Sequence, residues 1–400
     1  MKKICLSVVG LYLMMLNAFS QSNNKDTIYD VKPLKIEEVN LVSSYYTQDG
    51  DHSPVTGGIG TEKVTDLANG LDIKWIGYDD SNRKHTLTTS LGIDHHSSAS
   101  SAYVNKSGAS KTGGTRYYPS VNWNMENPKK GTSIGLGLYY SYEYNYKSIG
   151  VDAEVSKKTH KNGEFSAKAS AYFDKVKLIY PSEFVQVATV TASSSGGESK
   201  NSIPSSPRTT GTLSLSFSQV INKRLQGSVL VDGVVQSGYL GLPFHRVFYN
   251  DGRDTIENLP STRYKLPLGL RLNYFLGDNI IVRTYYRYYT DSWSVQSNTV
   301  NLEVAVKLSP FFSISPFYRY YQQTAAKYFA PYEVHKVTDQ YFTSNYALSA
   351  FSSNSFGAGI RVMPPKGLFT GLKGFELRYA HYTQSTDLVS NVISVDLKLK

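Results

Sequence analysis

Residues 267–291 read PLGLRLNYFLGDNIIVRTYYRYYTD. Splitting the stretch by parity separates it into unlike faces. Leu266, Leu268, Leu270, Leu272 and Tyr274 fall on one side, and Lys265, Pro267, Gly269, Arg271 and Asn273 on the other. Past Gly277-Asp278-Asn279 the pattern resumes, with Ile280, Val282, Thr284, Tyr286 and Tyr288 set against Ile281, Arg283, Tyr285, Arg287 and Tyr289. A period of two is the signature of a strand whose side chains point alternately to two environments. Two such runs around a Gly-Asp-Asn turn make a hairpin. The two environments are apolar on one face and able to hold arginine on the other.

The same alternation recurs along the chain. Val300, Leu302, Val304 and Val306 oppose Asn301, Glu303, Ala305 and Lys307, and Ile393, Val395 and Leu397 oppose Ser394, Asp396 and Lys398. The pattern predicts about sixteen strands, with fourteen as the alternative count. The first lies over 37–48, the second over 71–79 and the twelfth over 293–308. Most are near the 9–11 residues that carry a tilted strand across a bilayer. Connections mostly alternate between short (DDSNRK, ENPKKG, LGDN) and long (about 49–70, 95–114, 178–209, 237–263 and 324–353). Short turns at one end and long loops at the other describe an all-β, transmembrane antiparallel barrel with periplasmic turns and extracellular loops. A soluble sandwich or propeller also alternates, but it would not need 32 tyrosines, many near one end of a strand. Aromatic girdles at a lipid interface account for them. The arginines then face a lumen, since on the lipid side each would cost about 2–4 kcal/mol at mid-depth.

The N-terminus agrees with export. Lys2 and Lys3 precede an apolar run from Ile4 to Leu16, and Ala18-Phe19-Ser20 follows. This reads as a signal peptide over 1–20 for Sec-type export to the outer membrane. A periplasmic segment over 21–36 and the barrel domain over 37–400 would then follow. The one cysteine, Cys5, lies inside the leader, so no disulfide or cysteine-ligated metal is expected in the rest. The net charge is +10, of which Lys2 and Lys3 carry two, leaving +8. For an exported chain this points to anionic solutes, membrane lipid and lipopolysaccharide phosphates as partners, not nucleic acid.

Within the last seven strands the lumen face is predicted to hold Lys265, Arg271, Arg283, Arg287, Glu303, Lys307, Arg319, Arg361, Glu376, Arg378 and Asp396. Basic groups outnumber acidic ones there. The leading expectation is a porin-like channel with a basic, Arg/Tyr-lined lumen. The competing structural reading is an Arg-Tyr-Glu network that fills the barrel, or a long loop such as 324–353 that plugs it. Asp49, Asp51, His52, Asp94, His95 and His96 collect near the long-loop rim, where carboxylates and imidazoles could bind a divalent ion. Turn-forming, solvated loop residues are the plainer account of them. No nucleophile elbow, zinc-protease motif or dinucleotide fingerprint appears, so no catalytic residue and no cofactor is assigned. His381, on the lipid-facing parity, is the one candidate for an outer-membrane hydrolase, and an interfacial histidine is the plainer account. The segments Pro243 to Pro260 and Ala325 to Tyr332 are dense in Phe, Tyr, His and Arg, which suggests specific contacts or packing.

Several segments carry a family resemblance. They are GDHSPVTGGIGTE (50–62), the SSAS and SGAS pair (97–100 and 107–110), LPFHRVFYNDG (242–252), ENLPSTRYKLPLGLRLNYFLGD (257–278), RTYYRYYTDSW (283–293), SPFYRYYQQTAAKYFAPY (315–332) and TSNYALSAFSSNSFGAGIR (343–361). Together they resemble the bacterial family known as domain of unknown function 3570. The resemblance implies an outer-membrane barrel, frequent in the Bacteroidota, with no established activity. It also implies a neighbourhood of a small lipoprotein, a thioredoxin-like protein and a flavin transferase. From that follows the alternative expectation, a barrel scaffold for a lipoprotein or periplasmic flavin-linked redox system. The chain has no CxxCH haem motif of its own. It ends in Leu399-Lys400, where many outer-membrane barrels end in an aromatic residue.

Overall fold

The computed structural model describes residues 31–97, 113–184, 203–369 and 371–399. The expected leader, most of the segment that follows it and most of the SSAS/SGAS pair lie outside these residues. The chain forms β1 (Lys32–Asp49), β2 (Val64–Tyr78), β3 (Lys84–His96), β4 (Gly114–Asn127), β5 (Thr132–Glu143), β6 (Tyr146–Lys158), β7 (Gly163–Lys177), β8 (Ser205–Asn222) and β9 (Leu225–Gly238). A small hairpin, β10 (Arg246–Phe248) and β11 (Asp254–Ile256), sits in the next loop. Then follow β12 (Thr262–Leu276), β13 (Ile280–Asp291), β14 (Gln296–Ser309), β15 (Phe312–Gln323), β16 (Phe351–Val362), β17 (Gly374–Gln384) and β18 (Leu388–Lys398).

All strands but β10 and β11 pair antiparallel with their sequence neighbours, and β18 pairs with β1 to close a sixteen-stranded barrel. Closure satisfies every strand's backbone groups and leaves no edge, which is the condition for crossing lipid. The register keeps one parity on one face all the way round: Leu270 pairs with Tyr286, Tyr286 with Val300, Leu302 with Tyr318 and Tyr318 with Phe356. These side chains form an exposed apolar belt that also includes Leu136, Val151, Leu213, Val229 and Leu268. An apolar patch that encircles the molecule is the lipid-facing surface of a transmembrane barrel. Among the described residues no helix is long and apolar enough to cross a membrane.

Near the long-loop end the belt gives way to tyrosines. Tyr286, Tyr318 and Tyr379 each donate their hydroxyl to an asparagine on the next strand, Asn298, Asn354 and Asn391, at 2.7, 2.7 and 2.8 Å. The ring stays apolar and the hydroxyl finds a partner, which is how tyrosine suits the border of a bilayer.

Several strands outrun the alternating core of the pattern. β1 begins at Lys32, not 37, and β2 at Val64, not 71. Ala68-Asn69-Gly70 carries an ordinary turn signal, yet β1 and β3 flank it and pair with it on both sides, Gly70 with Val42 and with Gly92. The opposite happens at 293–295. Trp293-Ser294-Val295 looks like a strand start, but Asp291 Oδ1 accepts from the amides of Trp293 and Val295 at 2.8 and 3.1 Å. That carboxylate closes a tight turn with Ser294 at φ 68°, and β14 starts only at Gln296.

Candidate pore and its loop cap

The face opposite the apolar belt is concave and polar. It holds all eleven residues predicted for the lumen, because each shares the parity of Arg271 through the register. Some are gathered into one network. Glu303 accepts from Arg283 at 2.6 Å and from Arg378 at 2.9 Å, and Arg378 also donates to Glu376 at 3.0 Å. Arg378 on β17 reaches Glu303 on β14 past two intervening strands, which places both on the inside of the curve. Arg271, Asn273, Arg283, Tyr285, Asn301 and Glu303 surround a cavity of about 440 Å³ on this wall. Arg287, Arg319, Arg361 and Lys307 share the wall but not the network.

The other half of the barrel carries groups that sequence reasoning missed. A cavity of about 540 Å³ lies against β1–β7, with Asp72, Arg116, Tyr118, Tyr139, Tyr146 and Tyr172 in its lining. Gly92 and Gly150 leave no room for a Cβ beneath the Tyr118 and Tyr172 rings, so those rings lie against the wall and do not cross the lumen. Arg116 donates to Ser141 at 2.9 Å, Lys168 pairs with Asp152 at 3.1 Å, and Arg208 bonds both Asp174 at 2.8 Å and the Tyr146 hydroxyl at 3.0 Å. Glycine and serine between charged residues blur the alternation on β3, β5 and β6. The chemistry there was legible only once parity was fixed by the neighbours.

Charge is divided between the two halves. Among the described residues, the inward side chains of β12–β16 are Arg263, Lys265, Arg271, Arg283, Arg287, Lys307, Arg319 and Arg361 against Asp291 and Glu303. Those of β2–β6 are Lys74, Lys84, Arg116 and Lys158 against Asp66, Asp72, Asp94, Glu126, Glu143, Asp152 and Glu154. The basic excess seen on the last seven strands therefore belongs to one wall and does not extend round the lumen.

The predicted metal cluster is not assembled, and among the described residues no group of three or more His, Cys, Asp or Glu side chains could hold a metal ion. Asp49 pairs with Lys63 at 3.2 Å. Asp51 stays in the exposed loop. His52 Nδ1 meets the Gly58 carbonyl at 2.9 Å, and its ring stacks on Tyr346 at 3.6 Å. Asp94 and His96 face inward, with His96 3.4 Å from Glu143, whereas His95 faces outward and bonds Thr115 at 2.9 Å. Consecutive residues of a strand cannot share a ligand sphere, because alternation sends them to opposite faces. His381 likewise joins the tyrosine border, with Nδ1 2.9 Å from Asn391 and its ring 5.1 Å from Phe356.

The two aromatic loop segments pack against each other over the mouth. Trp293, Val295 and Ala326 form a buried core with Leu240, Leu259, Tyr289, Tyr328, Phe329 and Leu348 around it. Arg263 stacks over the Trp293 ring at 4.2 Å and pairs with Asp291. His245, Val247, Thr343, Ser53 and Ser344 are fully buried in the same assembly. The loop between β1 and β2 reaches it too. Val55 in the short 3-10 turn Pro54–Thr56 accepts from Arg246 Nη1 at 2.6 Å. In a ring of sixteen, β1 and β2 stand eight places from β9 and β12, so this bond spans the mouth.

Glu257 sits at the centre of the cap. It accepts from the Leu242 amide at 2.6 Å and from the Thr343 hydroxyl. Burial pushes its carboxyl up to about 7, and burial with nearby His335 pushes His245 down to about 3. His245 Nδ1 lies 3.9 Å from Glu257, but burial keeps His245 neutral near neutral pH, so the contact is not an ion pair there.

A closed transmembrane barrel with a polar, charged lumen and a folded loop cap is the class that these observations define. A family model described as "Protein of unknown function (DUF3570)" matches residues 85–393, and the chain belongs to that family. No curated protein matches the chain in sequence. Among solved structures it is similar to OpdQ of Pseudomonas aeruginosa (10% identity, 93% of this chain and 98% of that one, TM-score 0.42). It is also similar to OccK7 (OpdD) of Pseudomonas aeruginosa (8%, 91% and 98%, TM-score 0.44). A third is a BenF-like porin from Pseudomonas fluorescens Pf-5 (7%, 90% and 98%, TM-score 0.41).

Proposed function

We propose that the protein is a porin-like channel of the outer membrane, with an arginine- and tyrosine-lined wall in its lumen. One observation carries the reading. A sixteen-stranded closure leaves an interior wide enough for water, and here that interior is lined by charged side chains that would not be retained in a dry core. Folded loops at the mouth act as the restriction, as hydrogen-bonded loops on a rigid barrel commonly carry selectivity. The solutes are small and hydrophilic, matched to a water-filled lumen lined by charged side chains.

The test is single-channel conductance of the purified protein in a planar bilayer, with a heat-modifiable gel shift to confirm folding. Steady ohmic steps support the channel. A folded barrel that stays silent overturns it and leaves the scaffold for lipoprotein or periplasmic redox partners as the account to pursue by co-purification.

A further inference from the structure

The two charged walls face each other. In the ring order, β12 stands eight places from β2, β13 from β3, β14 from β4, β15 from β5 and β16 from β6, so the strand sets are diametrically opposed. On the inward face β12–β16 carry eight Lys and Arg against two carboxylates, a balance of +6 among the described residues. Opposite them β2–β6 carry four Lys and Arg against seven carboxylates, a balance of −3. The cavity on the basic side is lined by Arg271, Arg283 and Glu303, and the one on the opposite side by Asp72 and Arg116.

We infer that the lumen sustains an electric field across its width and favours dipolar solutes, zwitterions above all, over uncharged molecules of the same size. Opposite charges fixed on facing low-dielectric walls concentrate field lines between them. Many of these charges are not neutralised by a neighbour. Among the described residues, Arg271, Arg287, Arg319 and Arg361 on one wall and Asp72 and Glu154 on the other have no ion-pair partner, whereas Arg283 is spoken for by Glu303 and Asp152 by Lys168. Arg271 and Asp72 are the clearest opposed pair. Each lies near the middle of its strand, nine residues past Thr262 in β12 and eight past Val64 in β2. The barrel is too wide for one small solute to touch both. The walls act by orienting it: its anionic end turns toward the arginines and its cationic end toward the carboxylates. An uncharged solute gains nothing from the field and must displace water that the field has ordered.

The inference rests on the channel reading, and the experiment separates the two. Proteoliposomes are prepared with wild type, Asp72→Asn, Arg271→Gln and the double variant, each checked by gel shift for folding. Swelling rates are compared for an ω-amino acid and an uncharged polyol of equal size, with conductance measured in parallel. The expected result is a zwitterion-to-polyol rate ratio that falls several-fold in the double variant. The single variants should also shift reversal potentials in opposite directions, Asp72→Asn toward anions and Arg271→Gln toward cations. Conducting variants whose rate ratio equals that of wild type would overturn the field while leaving the channel intact. Absent conductance in wild type overturns the channel itself. A reversal potential that moves for Arg271→Gln and stays fixed for Asp72→Asn would mean a one-sided basic lumen and would also overturn the field.

Discussion

Replacing Trp293 by alanine should unlock the loop cap and leave the barrel intact. Trp293 is only 2% exposed and is the largest member of the buried loop core. Its ring meets Tyr328 edge-on at 5.9 Å and lies under the Arg263 guanidinium at 4.2 Å. Truncating a buried tryptophan costs about 3–5 kcal/mol, a figure that already absorbs most of these contacts. At about 1.4 kcal/mol per tenfold, the open cap becomes more populated by over a hundredfold. Native-state hydrogen exchange reads this directly. The amides that tie the cap together are Ala326, donating to Leu348, Lys327, donating to Trp293, and Thr343, donating to Tyr328. Each should exchange about a hundredfold faster or more in the variant. Amides of β6 and β7, on the far side, should keep wild-type protection. An increase under about tenfold at the three cap amides would refute the claim that Trp293 holds the cap. Equal acceleration in β6 and β7 would show instead that cap and barrel unfold together.

Further outcomes follow from the same geometry. Neutralising Arg283 and Arg287 together should lower the preference for anions, and unchanged reversal potentials would count against a basic wall. Glu257, raised in the cap from 4.5 to about 7, contributes stability that is full below pH 4.5 and is lost as pH rises toward 7. His245, lowered from 6.5 to about 3, contributes stability that is full above pH 6.5 and is lost as pH falls toward 3. The opposed slopes cancel between pH 4.5 and 6.5, so cap protection is flat there in wild type and rises with pH in Glu257→Gln; a flat profile in the variant would exclude this account. Arginine in place of Leu270 on the lipid face should cost about 2–4 kcal/mol, read as a lower urea midpoint in refolding into vesicles. The same substitution at inward-facing Asn273 should cost far less, and similar losses at both sites would mean that the faces are misassigned.

The sequence alone determined the class of fold. Alternation is a local property, with the side chains of one strand pointing to two sides whatever the strand pairs with. That is why Leu270, Arg271, Tyr286 and Arg287 were legible as lipid-facing and inward-facing before any partner was known. The aliphatic parity also put the count near sixteen, with fourteen still open, because a bilayer demands it of every strand; the closing pair β1–β18 set it at sixteen. Tertiary structure decided what the pattern does not encode. Whether Asp94, His95 and His96 meet depends on face, and the pleat separates them. Whether Trp293 opens a strand or fills a core depends on Asp291, which turns the chain, and on loop 324–350, which covers it. The division of charge into two walls is visible only when the ring is closed. Asp72 and Arg271 are 199 positions apart in the sequence, and only the closing pair β1–β18 makes their strands eight places apart by either route round the ring, and so opposed across the lumen.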